Sequence, residues 1–169
     1  IEAWIYPTNL SGNRLIIDTY ISGDDGSYQL YYRNTGTSLA FYSGGDSVFL
    51  QDPSSSTIAL YSWYHVAVAR SGSSCKMFIN GKEVDSATNS RNLTHGNELT
   101  IGAQKTSGTN YFQGFISDAR VVKGTAVYTS DFTPPTAPLS AVSGTSILTC
   151  VNKNDIFDAS GMANRAGIG

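Results

Sequence analysis

A predicted hairpin constrains the fold of this 169-residue chain more than any other feature of its sequence. Residues 64–70 and 75–79 each place apolar side chains at alternate positions, which is the two-residue period of a β-strand. Asn80-Gly81 follows directly and readily adopts the positive φ angles that both central residues of a type I′ turn require. The alternation puts Phe78 on the polar side of its strand. The sequence therefore predicts two paired strands, a tight turn and a third strand over residues 83–87.

Alternating apolar segments recur along the chain at short intervals, separated by clusters of Gly, Ser, Asn and Asp. The predicted strands are Ile1–Tyr6, Arg14–Ile21, Tyr28–Arg33, Leu39–Tyr42, Val48–Leu50, Thr57–Leu60, Tyr64–Arg70, Cys75–Ile79, Glu83–Ala87, Glu98–Ile101, Phe112–Val122 and Ser146–Val151. No segment longer than a turn or two shows the apolar spacing of a helix. We therefore expect an all-β fold, a two-sheet antiparallel β-sandwich of the jelly-roll type.

Charge and hydropathy argue against several classes of partner. Charged residues make up 14% of the chain and the net charge is −2, which gives little attraction for nucleic acid or anionic lipid. No basic run is interleaved with aromatic residues, and no apolar stretch is long enough to span a bilayer. We expect no nucleic-acid partner and no membrane partner. The chain starts without Met inside a predicted strand, which is typical of a piece of a longer polypeptide.

Three blocks of the sequence resemble one family of domains. They are EAWIYP at residues 2–7, the strand and hairpin block at residues 63–84, and residues 114–128, which begin GFISDARVV. Together they are similar to laminin-G-like domains of the concanavalin A-like lectin/glucanase superfamily. The resemblance implies a concanavalin A-like jelly roll in which Trp4 and Trp63 have structural roles.

The third block continues into an extension, KGTAVYTSDFTPPTAPL at residues 123–139. This extension is similar to those of structural and tail-associated proteins of bacteriophages, marine ones especially. The similarity implies a location on a virion surface or outside the cell. The three prolines within residues 133–138 cannot donate to a strand ladder, so they predict an extended connection across the surface.

The expected domain organisation is one laminin-G-like sandwich over residues 1–151 and a polar tail or linker toward a following module over residues 152–169. Domains of this family usually carry a strand before the EAWIYP block. Either that strand is missing here, or another segment supplies the edge of the sheet.

Catalytic patterns are poorly represented. Glucanases of this superfamily need two carboxylates on one face of a strand, flanking the scissile bond. The chain has only Glu2, Glu83 and Glu98, which are far apart in sequence. His65 is expected to pack inside a strand, and His95 has no recognisable nucleophile beside it.

Calcium is the one cofactor that the sequence suggests. The candidate ligands are the carboxylates of Asp24, Asp25, Asp46 and Asp52, which lie in neighbouring polar loops. Oxygen ligands that converge on a loop rim suit Ca²⁺. However, Asp-Asp-Gly is also ordinary hairpin-turn chemistry, because these residues tolerate left-handed backbone.

Tyrosine side chains with polar neighbours suggest a glycan site. Sugars bind where aromatic faces meet hydrogen-bonding side chains, and several tyrosines fall on the strand parity opposite the apolar set. The candidate ligand-binding residues are Tyr20, Gln29, Tyr31, Arg33, Asn34 and Tyr42. The alternative is that the tyrosines cover a sheet face or an interface with a neighbouring subunit.

Three further side chains are expected to have structural roles in buried or apolar strands. Arg120 falls within a predicted buried strand, so we expect it to pair with a carboxylate such as Asp118 or Asp18, or to reach the sheet edge. Cys75 and Cys150 lie in apolar strands, and two buried free thiols are favoured over a disulfide.

The functional hypothesis is non-catalytic recognition or adhesion, with a glycan or a surface protein as the partner. The alternative is a structural module that decorates a virion or an extracellular fibre and associates with identical neighbours. Glycoside hydrolysis is the third hypothesis, and it lacks the carboxylate pair that the chemistry needs.

Overall fold

A computed structural model describes residues 1–34, 38–44, 48–54, 57–93, 98–104 and 110–152 of the chain. Within those residues the secondary structure consists of strands and turns, and no helix could cross a membrane. The strands are β1 (Glu2–Asn9), β2 (Arg14–Asp18), β3 (Tyr28–Arg33), β4 (Ser38–Ser43), β5 (Val48–Gln51), β6 (Tyr64–Ser71), β7 (Ser74–Ile79), β8 (Lys82–Thr88), β9 (Thr100–Ile101), β10 (Gln113–Val122) and β11 (Thr145–Thr149).

The strands form two antiparallel sheets that pack as a sandwich. The six-stranded sheet has the order β11-β10-β1-β6-β7-β8, and the five-stranded sheet has the order β5-β4-β3-β2-β9. Every described pairing between neighbours is antiparallel. The predicted all-β sandwich is therefore confirmed.

The core lies between the sheets. It consists of the side chains that point inward at alternate positions along the strands of both sheets. Ile5, Val66 and Met77 project from the six-stranded sheet, and Leu30 and Phe41 project from the five-stranded sheet. Each of these side chains is at most 2% exposed. Burying one such side chain stabilises a fold by about 1.5–3 kcal/mol, so this layer holds the sheets face to face.

The hairpin between β7 and β8 matches the prediction. Asn80 has a φ of 49° and Gly81 a φ of 76°, and Ile79 pairs with Lys82 across the two-residue turn. Gly81 has a second role, because its carbonyl accepts a hydrogen bond from the Phe132 amide at 2.9 Å. A Cβ on Gly81 would lie 1.9 Å from the Phe132 carbonyl oxygen. Only glycine allows this approach.

The predicted strand Thr57–Leu60 is wrong. These residues belong to the connection that carries the chain from the five-stranded to the six-stranded sheet, and none of the described strands pairs with them. Ile58 alone reaches the core, at 5% exposure. The Tyr61 amide then donates to the Pro7 carbonyl at 2.8 Å. The other predicted strands are present with shifted ends.

The edge of the six-stranded sheet next to β10 is supplied by β11. Cys75 is buried and Cys150 is partly buried, and neither is paired in a disulfide. The prediction of free thiols is confirmed, although Cys150 is less buried than expected. Residues 153–169, which make up nearly all of the predicted tail, lie outside the described residues.

Candidate functional site

The outer face of the five-stranded sheet carries most of the predicted ligand-binding residues. On β3 the alternation that buries Leu30 and Tyr32 turns Gln29, Tyr31 and Arg33 to the opposite face. Tyr42 on β4 is the antiparallel partner of Gln29, so it lies directly beside that side chain. The tyrosine pattern in the sequence thus follows from strand parity.

Between these side chains lies an open depression of about 310 Å³. Its lining, which we call the tyrosine depression, consists of Asn13, Leu15, Tyr20, Gln29, Tyr31, Tyr42, Gln104 and Asn110. The set combines three phenolic rings with four side-chain amides. Such a mixture offers ring faces for apolar contact and amides for directional hydrogen bonds.

The three rings are not equally accessible. Tyr20 and Tyr42 meet edge to face, with ring centroids 5.6 Å apart and an interplanar angle of 80°, and both are partly exposed. Tyr31 is only 8% exposed because it packs against Leu15 and Ala40. Burial raises the pKa of Tyr31, although the nearby Arg33 charge opposes the shift. Tyr31 therefore forms the floor of the depression and keeps its hydroxyl proton at neutral pH.

Hydrogen bonds fix the amides. The Gln29 Nε2 donates to Asp18 Oδ1 at 3.0 Å, and the same oxygen accepts the Tyr20 amide at 2.7 Å. Asp18 is fully buried, so one carboxylate positions two lining residues from beneath. On the other side, Asn110 Nδ2 donates to Gln104 Oε1 at 2.6 Å.

Two predicted residues lie outside the depression. Arg33 Nη1 donates to Gln51 Oε1 at 2.9 Å, farther along β3. Asn34 is exposed at the strand end, where its backbone amide donates to Asn13 Oδ1 at 3.0 Å.

Four lining residues were missed from the sequence. Leu15 reaches this face because the register of β2 shifts between Leu15 and Ile17, which strand parity cannot predict, and Asn13 directly precedes β2. No local sequence pattern predicts that Gln104 and Asn110 line the depression, because long-range contacts with β2 bring them there. The Leu15 amide donates to the Asn110 carbonyl at 3.0 Å.

The predicted calcium ligands do not gather at one place. Asp24 and Asp25 lie near Gly44, whose amide donates to the Ser27 carbonyl, whereas the Asp52 amide donates to the Leu39 carbonyl. Leu39 and Gly44 mark opposite ends of β4, about 17 Å apart at the rise of a strand. Asp46 lies outside the described residues.

Local hydrogen bonds account for the described aspartates. Asp24 Oδ1 accepts the Gly26 amide at 2.7 Å, which is the turn chemistry weighed as the alternative, and Asp52 Oδ1 accepts the Ser54 amide at 2.9 Å. Asp25 lies 3.8 Å from the Arg91 guanidinium. Across the described part of the chain, no three His, Cys, Asp or Glu side chains cluster as in a metal site. Calcium binding at Asp24 and Asp25 stays a prediction.

The outer face of the six-stranded sheet holds a buried polar cluster. Glu2 accepts hydrogen bonds from Arg120 at 2.6 and 2.9 Å, from Tyr128 at 2.8 Å, and lies 3.0 Å from His65 Nε2. Burial alone would raise the pKa of Glu2, but hydrogen bonds from His65, Tyr128 and Arg120 outweigh it and hold that pKa below its usual value. His65 is buried, as predicted. Arg120 pairs with a carboxylate, as predicted, but that carboxylate belongs to Glu2 rather than to Asp118 or Asp18.

Residues 123–144 close over this cluster, and we call them the strap. Its two ends meet where the Lys123 amide donates to the Gly144 carbonyl at 2.7 Å. Tyr128 and Phe132 stack in parallel with their centroids 3.6 Å apart, and Phe132 lies edge to face against Phe78 at 5.4 Å. Phe78 lies on the face opposite Met77, as the alternation predicts, but the strap makes it fully buried, so this face is not polar there. The prolines do form a connection across the surface, as predicted.

The strap leaves part of that face uncovered. Tyr6 lies between Trp63 and Phe115, with ring centroids 5.5 and 5.9 Å away. Trp63 is 47% exposed and Phe115 63% exposed, and the exposed Tyr61 lies beside Pro7. We call these four aromatic residues the aromatic strip. Trp63 therefore contributes to the surface as well as to the structure.

Glu2 and Glu83 do not have the spacing of a glycosidase pair. Glu2 lies on β1 and Glu83 on β8, three strand spacings away, or about 14 Å. Glycosidase carboxylates lie about 5–9.5 Å apart. Glu2 is covered by the strap, and Glu83 binds Lys76 at 2.7 Å.

Two antiparallel sheets in this order define a lectin-like jelly roll, and comparison with known families agrees. A laminin-G-like family model of the concanavalin A-like lectin/glucanases superfamily matches residues 1–127. The chain belongs to this superfamily. A search of curated proteins found no match.

Several solved structures share the fold. A candidate carbohydrate-binding protein from Bacteroides ovatus aligns with a TM-score of 0.64 at 18% identity, over 88% of this chain and 44% of that protein. A heptameric SAP-like pentraxin from Limulus polyphemus aligns with a TM-score of 0.51 at 21% identity, over 69% of this chain and 59% of the other. The CBM40 module of the Ruminococcus gnavus IT-sialidase aligns with a TM-score of 0.51 at 17% identity, over 67% and 68%. The chain thus spans less than half the length of the Bacteroides protein.

Proposed function

We propose that this domain binds glycans without chemical conversion, as a recognition or adhesion module, and that the tyrosine depression is the binding site. The observation that carries the proposal is the convergence of two partly exposed tyrosines and several oriented amides on one open surface. Sugar rings present CH faces and hydroxyl groups, which complement aromatic faces and amides respectively. Strands position Gln29, Tyr31 and Tyr42, and hydrogen bonds hold Tyr20 and the Gln104–Asn110 pair, before a ligand arrives, which lowers the entropy cost of binding.

The structural neighbours support this proposal in a general way. Two of the three are described as a candidate carbohydrate-binding protein and a carbohydrate-binding module. For location, we propose a virion surface or an extracellular setting, and the support is the similarity of residues 123–139 to extensions in bacteriophage structural proteins.

The test is a glycan array followed by calorimetry on each glycan that binds. We expect Tyr42→Ala to weaken binding at least tenfold, because it removes one of the two accessible rings. The matched control is Tyr61→Ala, which removes an exposed tyrosine from the aromatic strip on the opposite side of the sandwich and should leave affinity unchanged. Retention of no glycan above background would contradict the proposal, as would equal effects of the two variants.

A second candidate function is contact with a second copy of this chain through the aromatic strip. Trp63, Phe115 and Tyr61 together leave roughly 400 Å² of aromatic surface exposed, a patch size that often marks an interaction site. It is about half of the 800 Å² that each partner buries in a stable interface, so we expect a weak, concentration-dependent dimer.

Analytical ultracentrifugation tests this association. Trp63→Ala should shift the wild-type equilibrium toward monomer, whereas Tyr42→Ala should not. A wild-type protein that stays monomeric at millimolar concentration would exclude self-contact through the strip.

A further inference from the structure

We infer that the tyrosine depression selects uncharged glycans and discriminates against sugars that carry a carboxylate. This inference rests on the proposed function and adds to it the chemical class of the ligand.

The described side chains that line the depression carry no formal charge. They are the amides of Asn13, Gln29, Gln104 and Asn110, the phenols of Tyr20, Tyr31 and Tyr42, and the aliphatic Leu15. A sialic acid or uronic acid carboxylate is bound most strongly by a guanidinium or an ammonium group. Among the described lining residues no such group is present, whereas sugar hydroxyls find both donors and acceptors.

Asp18 makes the lining less favourable still for an anion. Its carboxylate can only accept hydrogen bonds, so the Gln29 amide must direct Nε2 toward it, as the 3.0 Å contact shows. This fixes the orientation of the amide, so Gln29 keeps Oε1 as an acceptor and the second N–H of Nε2 as a donor. An acceptor oxygen suits a sugar hydroxyl and repels a sugar carboxylate.

The nearest described cations are directed elsewhere. Arg33 lies two residues beyond Tyr31 on β3, about 7 Å along the strand, and its Nη1 donates to Gln51. Arg14 follows Asn13, but its guanidinium donates to the Asn13 carbonyl at 3.4 Å and lies against Gly12. Neither side chain lines the depression.

The experiment compares matched pairs of glycans on the full 169-residue chain. One pair is a galactose-terminated oligosaccharide with and without a capping sialic acid, and another is a xylo-oligosaccharide with and without a glucuronic acid branch. Within any pair that binds, we expect the neutral member to bind at least tenfold more tightly at low salt.

Two variants locate the origin of the selectivity. Gln29→Glu keeps the side-chain shape and adds a negative charge beside Asp18, so it should weaken neutral-glycan binding and weaken acidic-glycan binding further. Arg33→Gln should leave the affinity for the neutral member unchanged. Circular dichroism and a thermal melt establish that each variant is folded.

The outcomes separate the two proposals. Equal or tighter binding of acidic members, or loss of neutral binding in Arg33→Gln, would overturn the selectivity and leave glycan binding intact. Binding of no member of any pair would contradict the proposed function, and the inference with it.

Discussion

The two outer faces of this sandwich are both formed by antiparallel strands, but one face is covered and the other is open to solvent. On the six-stranded sheet, a carboxylate and a guanidinium are paired and then covered by the strap. On the five-stranded sheet, tyrosines and amides are left open around a depression. The comparison indicates that charge on the first face serves stability, and that uncharged polarity on the second is available to a ligand.

Covering a charge is safe only when every charged partner is satisfied, since removing one partner leaves the other buried and unpaired. Arg120 is held by Glu2 and by the Ser140 carbonyl at 2.8 Å. The strap supplies that carbonyl, so the covering segment and the ion pair depend on each other.

Replacing Glu2 with Gln on the covered face should reduce the stability of the fold more than any other substitution proposed here. The substitution leaves the Arg120 guanidinium buried without its counter-charge, and we expect a loss of about 4 kcal/mol in the free energy of unfolding, measured with urea. Glu83→Gln is the matched control, because its pair with Lys76 is about 30% exposed and should contribute at most about 1 kcal/mol. Similar losses in both variants would show that the buried pair has no special weight.

A substitution that displaces the strap from the sheet should reduce the free energy of unfolding somewhat less than Glu2→Gln does. Gly81→Ala places a Cβ 1.9 Å from the Phe132 carbonyl oxygen in addition to straining a positive φ, and we expect a loss of about 3 kcal/mol. In the control Gly72→Ala, at the neighbouring hairpin, φ is 59° but no atom lies within 4 Å. There the expected loss is about 1 kcal/mol, from backbone strain alone. Equal losses in the two variants would mean that the strap can shift away from the added Cβ without loss of stability.

Acid should gradually reduce the stability that Glu2 contributes on the covered face. Because the folded state lowers the pKa of Glu2 below its ordinary value of 4.5, this stabilisation is complete above that pH and is lost as the pH falls through the folded-state pKa. Every tenfold difference in proton affinity between the folded and unfolded states corresponds to about 1.4 kcal/mol. The free energy of unfolding, measured with urea between pH 7 and pH 3, should fall more steeply for the wild type than for Glu2→Gln.

The difference between the two acid curves isolates Glu2. A backbone hydrogen bond from Glu83 also lowers the pKa of Asp131, but this contribution is common to both proteins and cancels. Parallel curves for wild type and variant would contradict the assignment.

The open face could be predicted in part from the sequence. Strand parity is a local property, so Tyr31 and Gln29 could be assigned to the outer face without knowing their neighbours. What parity could not predict is how deeply Tyr31 is packed, because Leu15 and Ala40 come from two other strands. Gln104 was missed for a similar reason, since a loop brings it to the depression.

The covered face was much less predictable. Glu2 and Arg120 are 118 residues apart in the chain, and only the pairing of β1 with β10 makes them neighbours. Phe78 follows the alternation correctly, yet its face is buried because the strap returns over it. Local patterns predict which face a side chain occupies, but not what later covers that face.

The position of β1 bears on how the molecule is made. This strand lies between β6 and β10, so its second partner is translated more than a hundred residues after it. During synthesis one edge of β1 must wait for β10 to leave the ribosome, and the sheet is completed only late in translation. We expect the nascent domain to depend on slow, long-range closure, as is general for topologies dominated by distant pairings.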